Sequence, residues 1–182
     1  MGRLTFAINV TLDGCCDHRE TIPDDELMRY YTRLLGAAGG ILFGRVVYEM
    51  MEEYWPRVAQ DAKAPASHRA WAKTLGAKPK YVVSRSRRDF PWNNTRRLAG
   101  GLAGAVKALK RRTPRGLLVG SPTLAAELER LGLIDEYRFA VQPIIAGHGP
   151  FLFRGLLRPS RLKFLGAKRF KSGVTALRYR RA

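Results

Sequence analysis

Apolar positions along this chain switch repeatedly between a strand-like and a helix-like spacing. Leu4–Leu12 is an apolar-rich run that stops at Asp13-Gly14, which predicts a strand and a turn. Asp24, Asp25 and Glu26 then supply acids suited to the positive end of a helix. Leu27, Tyr30, Tyr31, Leu34 and Leu35 follow at i, i+3, i+4, i+7 and i+8, the stripe of an amphipathic helix. Gly36, Gly39 and Gly40 end it. Ile41–Phe43 reads as a short buried strand that runs through Gly44-Arg45 into a helix from about Val46 to Trp55, expected to stop near Pro56. A further helix is expected over Pro65–Leu75 and a strand over Lys80–Val83.

Phe90 to Arg97 is expected as loop with at most a short strand. Leu102, Val106 and Leu109 mark a helix ending in Lys110-Arg111-Arg112. Gly116–Val119 is a strand. Leu124, Leu128 and Leu131 form the apolar face of the next helix, closed by Gly132. Tyr137–Ile145 is a long strand, followed by the loop Ala146–Pro150. Two last strands, Leu162–Phe170 and Val174–Arg180, meet at Lys171-Ser172-Gly173. There Leu177 and Tyr179 alternate with Arg178 and Arg180, as in a half-buried antiparallel pair. Strands and helices thus alternate and then give way to strands. This order predicts one α/β domain over residues 1–182: a three-layer fold with a mostly parallel central sheet, helices on both faces and an antiparallel C-terminal edge.

Composition narrows the picture. A 182-residue chain that is 46% hydrophobic can bury a core without disulfides or metals. No apolar run approaches the ~20 residues of a membrane span, and the N-terminus lacks a signal peptide's long apolar centre. A cytoplasmic protein with no membrane partner is expected. Cys15 and Cys16 are adjacent and cannot staple the fold, so they read as free thiols. With His18, His68 and His148 scattered, no metal site is expected.

The formal charge of +18 is uneven. Residues 1–60 carry six basic and nine acidic side chains, and residues 61–182 carry 27 and six. An anionic partner on the later part fits this asymmetry as well as a solvated basic surface does.

Three strand ends have chemistry for an anion, and ligands of open α/β sheets bind beyond the carboxyl ends of strands. At Gly44-Arg45 a strand meets a helix start whose free N–H groups suit phosphate, and Arg45 adds a fork of donors. At Gly120-Ser121-Pro122-Thr123, Gly120 is able to take a positive φ, Ser121 is a good N-cap, and Pro122 suits the first helical position. A plain helix start would look the same. At Ser84-Arg85-Ser86-Arg87-Arg88, two hydroxyls and three guanidiniums could cage a phosphate such as the 2′-phosphate of NADP, or form only a basic turn. There is no G-x-G-x-x-G fingerprint. Gly100-Gly101-x-x-Gly104 echoes it weakly, with no clear strand before it.

These blocks resemble a known family. Thr11-Leu12-Asp13-Gly14 resembles the "S-L-D-G" of dihydrofolate reductase-like proteins. Ile41–Glu49 resembles the "L-L-G-R-x-T-Y-E", and Lys80–Arg85 the "K-x-V-x-S-R", of the reductase (RibD C-terminal) domain of bacterial riboflavin biosynthesis and its stand-alone relatives. Val119–Leu124, Gly132–Tyr137 and Pro143–Phe153 continue the likeness in the family's order. The resemblance implies a dihydrofolate reductase-like fold, NADPH as hydride donor, a small heterocyclic substrate and a homodimer. It places Gly44, Arg45, Val46 and Val47 at the cofactor phosphates, and Ser84 and Arg85 at the 2′-phosphate. Gly120, Ser121, Pro122, Thr123 and Leu124 fall at the pyrophosphate, with Gly147 and Gly149 near the nicotinamide. Val47 stands where the family has Thr, and Ser121 where riboflavin and folate enzymes have a second Gly. The substrate is therefore left open.

Asp13, at the end of the first strand, is the candidate proton donor, or else only a turn residue. Asp17, Glu20 and Asp24 lie on the loop expected to cover the site, and Trp55 could close over a flat substrate. Asp135-Glu136 reads as structural. Two other functions stay open: a non-catalytic NADPH sensor, and a polyanion or nucleic-acid binder on the basic second half. The latter is not favoured, because no aromatic–basic interleaving accompanies the charge.

Overall fold

The computed structural model describes every residue, Met1–Ala182. In chain order the elements are β1 (Leu4–Thr11), α1 (Asp25–Ala37), β2 (Gly40–Gly44), α2 (Arg45–Gln60), α3 (Ala66–Ala77), β3 (Lys80–Val83), β4 (Thr95–Arg97), α4 (Leu102–Arg112), β5 (Leu117–Val119), α5 (Pro122–Arg130), β6 (Glu136–Gln142), β7 (Leu162–Arg169) and β8 (Thr175–Arg181). The sheet order is β4-β3-β2-β5-β1-β6-β8-β7. The first six strands in that order run parallel, and β8 and β7 close the edge antiparallel.

Side-chain alternation along the strands builds two cores. Leu4, Phe6, Leu42, Leu117 and Val119 face α4 and α5, where they meet Val106, Leu109, Leu124 and Leu128. Ile41, Phe43, Val82 and Leu118 point the other way, to Leu35 of α1, Tyr48 of α2 and Leu75 of α3. Strands covered on both faces read as continuous apolar runs, as Ile41–Phe43 does.

Three boundaries differ from the sequence reading. Helix α2 continues through Pro56 to Gln60. The ring removes one backbone donor, but Val58 is buried beyond it and holds the last turn against the core. Strand β6 ends at Gln142 instead of Ile145, since Pro143 has no N–H to continue a ladder. The segment before Gly100-Gly101 does contain a strand: β4 pairs parallel with β3, Tyr81 opposite Arg96. Gly101 caps α4, so this glycine pair adds a fourth strand end to the same rim.

Asp135 is structural, as expected. It accepts from the Leu4 N–H at 2.6 Å and pairs with the buried Lys110 ammonium at 2.6 Å.

Candidate active site

The rim where the parallel strands end is stepped. Strand β5 pairs with β1 only over Leu4–Phe6, while β6 follows β1 from Thr5 to Thr11. Residues Ala7–Thr11 therefore have a strand neighbour on one side only, and their free edge stands above the end of β5.

Two helices begin beneath that step. Helix α2 starts directly at the end of β2 with Gly44 as its cap, and α5 starts after Gly120 with Ser121 as its cap. Neither has a side-chain cap, so the first-turn N–H groups of both are open to an anion. Ser121 does not act as the expected N-cap. The residue is 2% exposed, and its hydroxyl accepts a hydrogen bond from the Gly44 N–H at 3.0 Å. One hydroxyl thus joins two positive helix ends.

The glycines work differently from the sequence expectation. Gly120 has no positive φ; a Cβ there would lie 3.3 Å from the Ala7 carbonyl oxygen, so glycine serves the close approach of β5 to β1. Val47 and Leu124 pack into the two cores, which leaves only their backbone for a ligand. Val46 and Thr123 are exposed, and Pro122 has no N–H to offer.

Register puts Val83 opposite Gly44, so Ser84-Arg85 follows directly beside this junction. The three-arginine cage does not form. Ser84 is buried and its hydroxyl accepts from the Arg87 N–H at 2.9 Å. Arg87 turns away to Glu52, 2.7 Å distant, and lies over Tyr48 and Phe90. Arg85 is exposed and makes no hydrogen bond or ion pair, which leaves it free for a ligand. Arg45 pairs with Glu49 at 2.9 Å on the exposed side of α2.

At the far side of the step, Asp13 receives a hydrogen bond from Thr11 Oγ1 and accepts from the N–H of Gly147 at 2.8 Å and of Ala146 at 3.2 Å. The Thr11 hydroxyl first, then these N–H groups, hold its pKa down at about 2. A carboxyl ionised at neutral pH has no proton to give, so the geometry fits a strut better than the proton donor of the sequence reading. Gly147, at φ +71, makes the turn that presents its N–H to Asp13.

The covering loop is tied down as well. The Cys16 N–H donates to the Pro150 carbonyl at 2.8 Å, and His148 contacts Glu20 at 3.2 Å. Its hydrogen bond to the Gly149 carbonyl, then Glu20, raises the His148 pKa. Asp17 is gripped by Arg19, and Asp24 caps α1 by accepting from the Glu26 and Leu27 N–H groups. Burial pushes the Cys16 thiol up to about 11, away from reactivity. Trp55 does not cover the cleft. It packs edge-on against Trp71 of α3.

One group escaped the sequence reading. Asn9 Oδ1 accepts from Tyr31 Oη at 3.2 Å and from Gln142 Nε2 at 3.3 Å, and Gln142 Oε1 accepts from the Ile22 N–H at 3.1 Å. This network joins the ends of β1 and β6 to α1 and the covering loop. A polar residue inside the apolar run Leu4–Val10 was its only trace in the sequence.

Fold and rim together define a dihydrofolate reductase-like α/β protein. The chain belongs to the RibD C-terminal domain family, whose model matches residues 3–176. The family is one of reductase-type domains. The uncharacterized protein YyaP of Bacillus subtilis (strain 168) is 27% identical over 181 residues, 97% of this chain and 94% of the relative. Among solved structures, a proposed riboflavin biosynthesis protein from Shewanella sp. PV-4 superposes with a TM-score of 0.76 at 20% identity, covering 100% of this chain and 99% of that one. The deaminase/5-amino-6-(5-phosphoribosylamino)uracil reductase of Thermotoga maritima gives 0.69 at 16% identity, and this chain covers 57% of its length.

Proposed function

We propose that the protein is an NADPH-dependent reductase acting on a small, heterocyclic substrate. The observation that carries this reading is the Ser121–Gly44 hydrogen bond between two uncapped helix starts, with the unpaired Arg85 one strand further along the rim. The spacing suits an extended dinucleotide: N–H groups of Arg45–Val47 and of Thr123-Leu124 for the pyrophosphate, Arg85 for a 2′-phosphate. When bound, the cofactor supplies the hydride. The chain's own residues orient and enclose it. Asp13 fixes the Ala146-Gly147 turn beside the free edge of β1, and the Glu20–His148 and Cys16–Pro150 contacts tie the loop after β1 to the Ala146–Pro150 loop.

Calorimetry is the direct test. NADPH is expected to bind selectively over NADH, and an absence of dinucleotide binding at micromolar protein would refute the reading. NADPH oxidation followed across pterins, pyrimidines and quinones then identifies the substrate class. Binding without oxidation by any of them would favour the sensor. The resemblance also carries a homodimer, and Phe164 and Leu165, exposed on the edge strand β7, offer apolar surface for it. Light scattering on the eluted protein measures this. No helix is long and apolar enough to cross a membrane.

A further inference from the structure

The opposite end of the sheet, where the parallel strands begin, holds a cavity of about 330 Å³. Thr5, Leu118 and Glu136 line it from the strands, and the last turn of α1 walls it with Leu34, Ala37 and Ala38. Its size lies at the lower end of the range for small-molecule sites.

Its charge is lopsided. Arg3, Arg115, Arg138 and Arg178 line it, with Glu136 as the only acid. Glu136 is 4% exposed and already saturated. Arg178 donates to both its oxygens at 3.0 Å, Arg138 Nε donates at 2.8 Å, and the Arg3 guanidinium stands 3.8 Å away. Arg115 uses Nε and Nη2 on the Ala37 and Gly36 carbonyls. The Arg3 guanidinium and the Nη1 groups of Arg115 and Arg178 have no hydrogen-bond partner. Three guanidiniums therefore share one carboxylate and a fourth rests on backbone carbonyls, with donors to spare.

The backbone prevents these charges from dispersing. A Cβ on Gly2 would lie 1.8 Å from the Thr113 oxygen, and one on Gly39 would lie 2.4 Å from Thr113 Cγ2. Gly116, at φ +76, would bring a Cβ within 2.7 Å of the Arg3 oxygen. The chain start, the α1–β2 turn and the α4–β5 turn can interlock only as glycines. Hydrogen bonds of 2.8 Å seal the clasp: Gly2 N–H to Lys110 O, Gly39 N–H to Gly116 O, and Leu117 N–H to Arg3 O. Arg3 and Arg115 both spring from this rigid piece, so part of the ordering cost of a ligand is met in advance.

We propose that this cavity is a second anion site, which binds a compact organic dianion of the phosphate monoester class on Arg3, Arg115 and Arg178. Guanidinium forks match phosphate oxygens, and Leu34 and Leu118 offer an apolar wall to the ester body. Glu136 fixes Arg138 and Arg178 in place and is not itself a ligand. The site stands at the other end of the strands from the cofactor rim and does not depend on what binds there.

The test is an amide chemical-shift titration of the full chain with glycerol 3-phosphate, with ionic strength held constant by potassium chloride. Saturable shifts are expected at Arg3, Leu117 and Glu136. Arg3→Ala, at a mostly exposed side chain, should weaken binding about tenfold, the loss of one charge-assisted contact. Arg178→Lys keeps the charge beside Glu136 but removes the fork, and should weaken it as well. Arg85→Ala should bind as the wild type does. Shifts confined to Gly44 and Ser121, a response still linear at millimolar ligand, or unchanged affinity in both Arg3→Ala and Arg178→Lys would overturn the proposal.

Discussion

The Ser121 hydroxyl accepts a hydrogen bond from the backbone N–H of Gly44 at 3.0 Å, across 77 positions of chain. It locks the start of α5 to the start of α2 on opposite faces of the sheet. Ser121→Ala should therefore leave the Gly44 N–H without its acceptor and cost about 1 kcal/mol of stability. It should also weaken NADPH binding, because the two helix ends lose their common register. Urea denaturation and calorimetry measure the two effects separately.

Arg85 and Arg87 are close in sequence but opposite in consequence. Arg85→Ala should weaken NADPH binding about tenfold and leave NADH binding unchanged, since only the former carries the extra phosphate. Arg87→Ala should leave that discrimination intact and lower stability by about 1 kcal/mol, because its guanidinium pairs with Glu52 and lies over Tyr48. Equal effects of the two substitutions on cofactor discrimination would contradict the assignment.

Asp13 should behave as a strut. Its folded pKa of about 2 lies below the ordinary aspartate value of 3.8, so its stabilising contribution is present above about pH 4 and fades as pH falls toward 2. Asp13→Asn should flatten that acid limb in pH-dependent unfolding. The neutral-pH rate profile of any reductase activity should keep its shape, whereas loss of a titrating limb would restore Asp13 as the acid.

Lys80 is fully buried at the start of β3. Its Nζ donates to the carbonyls of Gly76, Lys78 and Asn93 and lies 4.4 Å from the Trp92 ring centre. Burial lowers its pKa to about 8 from 10.5. The unfolded chain holds that proton more tightly, so this group's contribution to stability rises between about pH 8 and 10.5. Comparing Lys80→Met with the wild type over that range isolates the rise, which the variant should lack.

Much of this was legible in order and pattern. The stripe Leu27–Leu35 needs only its own spacing to be helical, and Leu177 and Tyr179 alternate as a half-buried strand must. Strand β4 was hard to see because Thr95-Arg96-Arg97 is an edge strand with no apolar alternation, held by its pairing to β3. Ser121 looked like a cap because Ser before Pro usually is one. Nothing near it in sequence announces an acceptor for Gly44. Likewise the run Ser84–Arg88 shows three equal arginines, and only Glu52 on α2 removes Arg87 from the rim.

The sequence by itself determined the alternation of strands and helices, the two-sided burial of the sheet and the family, because these follow from local periodicity and short motifs. Only the tertiary structure decided which donors remain free. Whether a guanidinium, a carboxylate or an N–H is available to a ligand depends on partners brought in from distant elements: Ala146 and Gly147 for Asp13, Glu52 for Arg87, and Ser121 for Gly44.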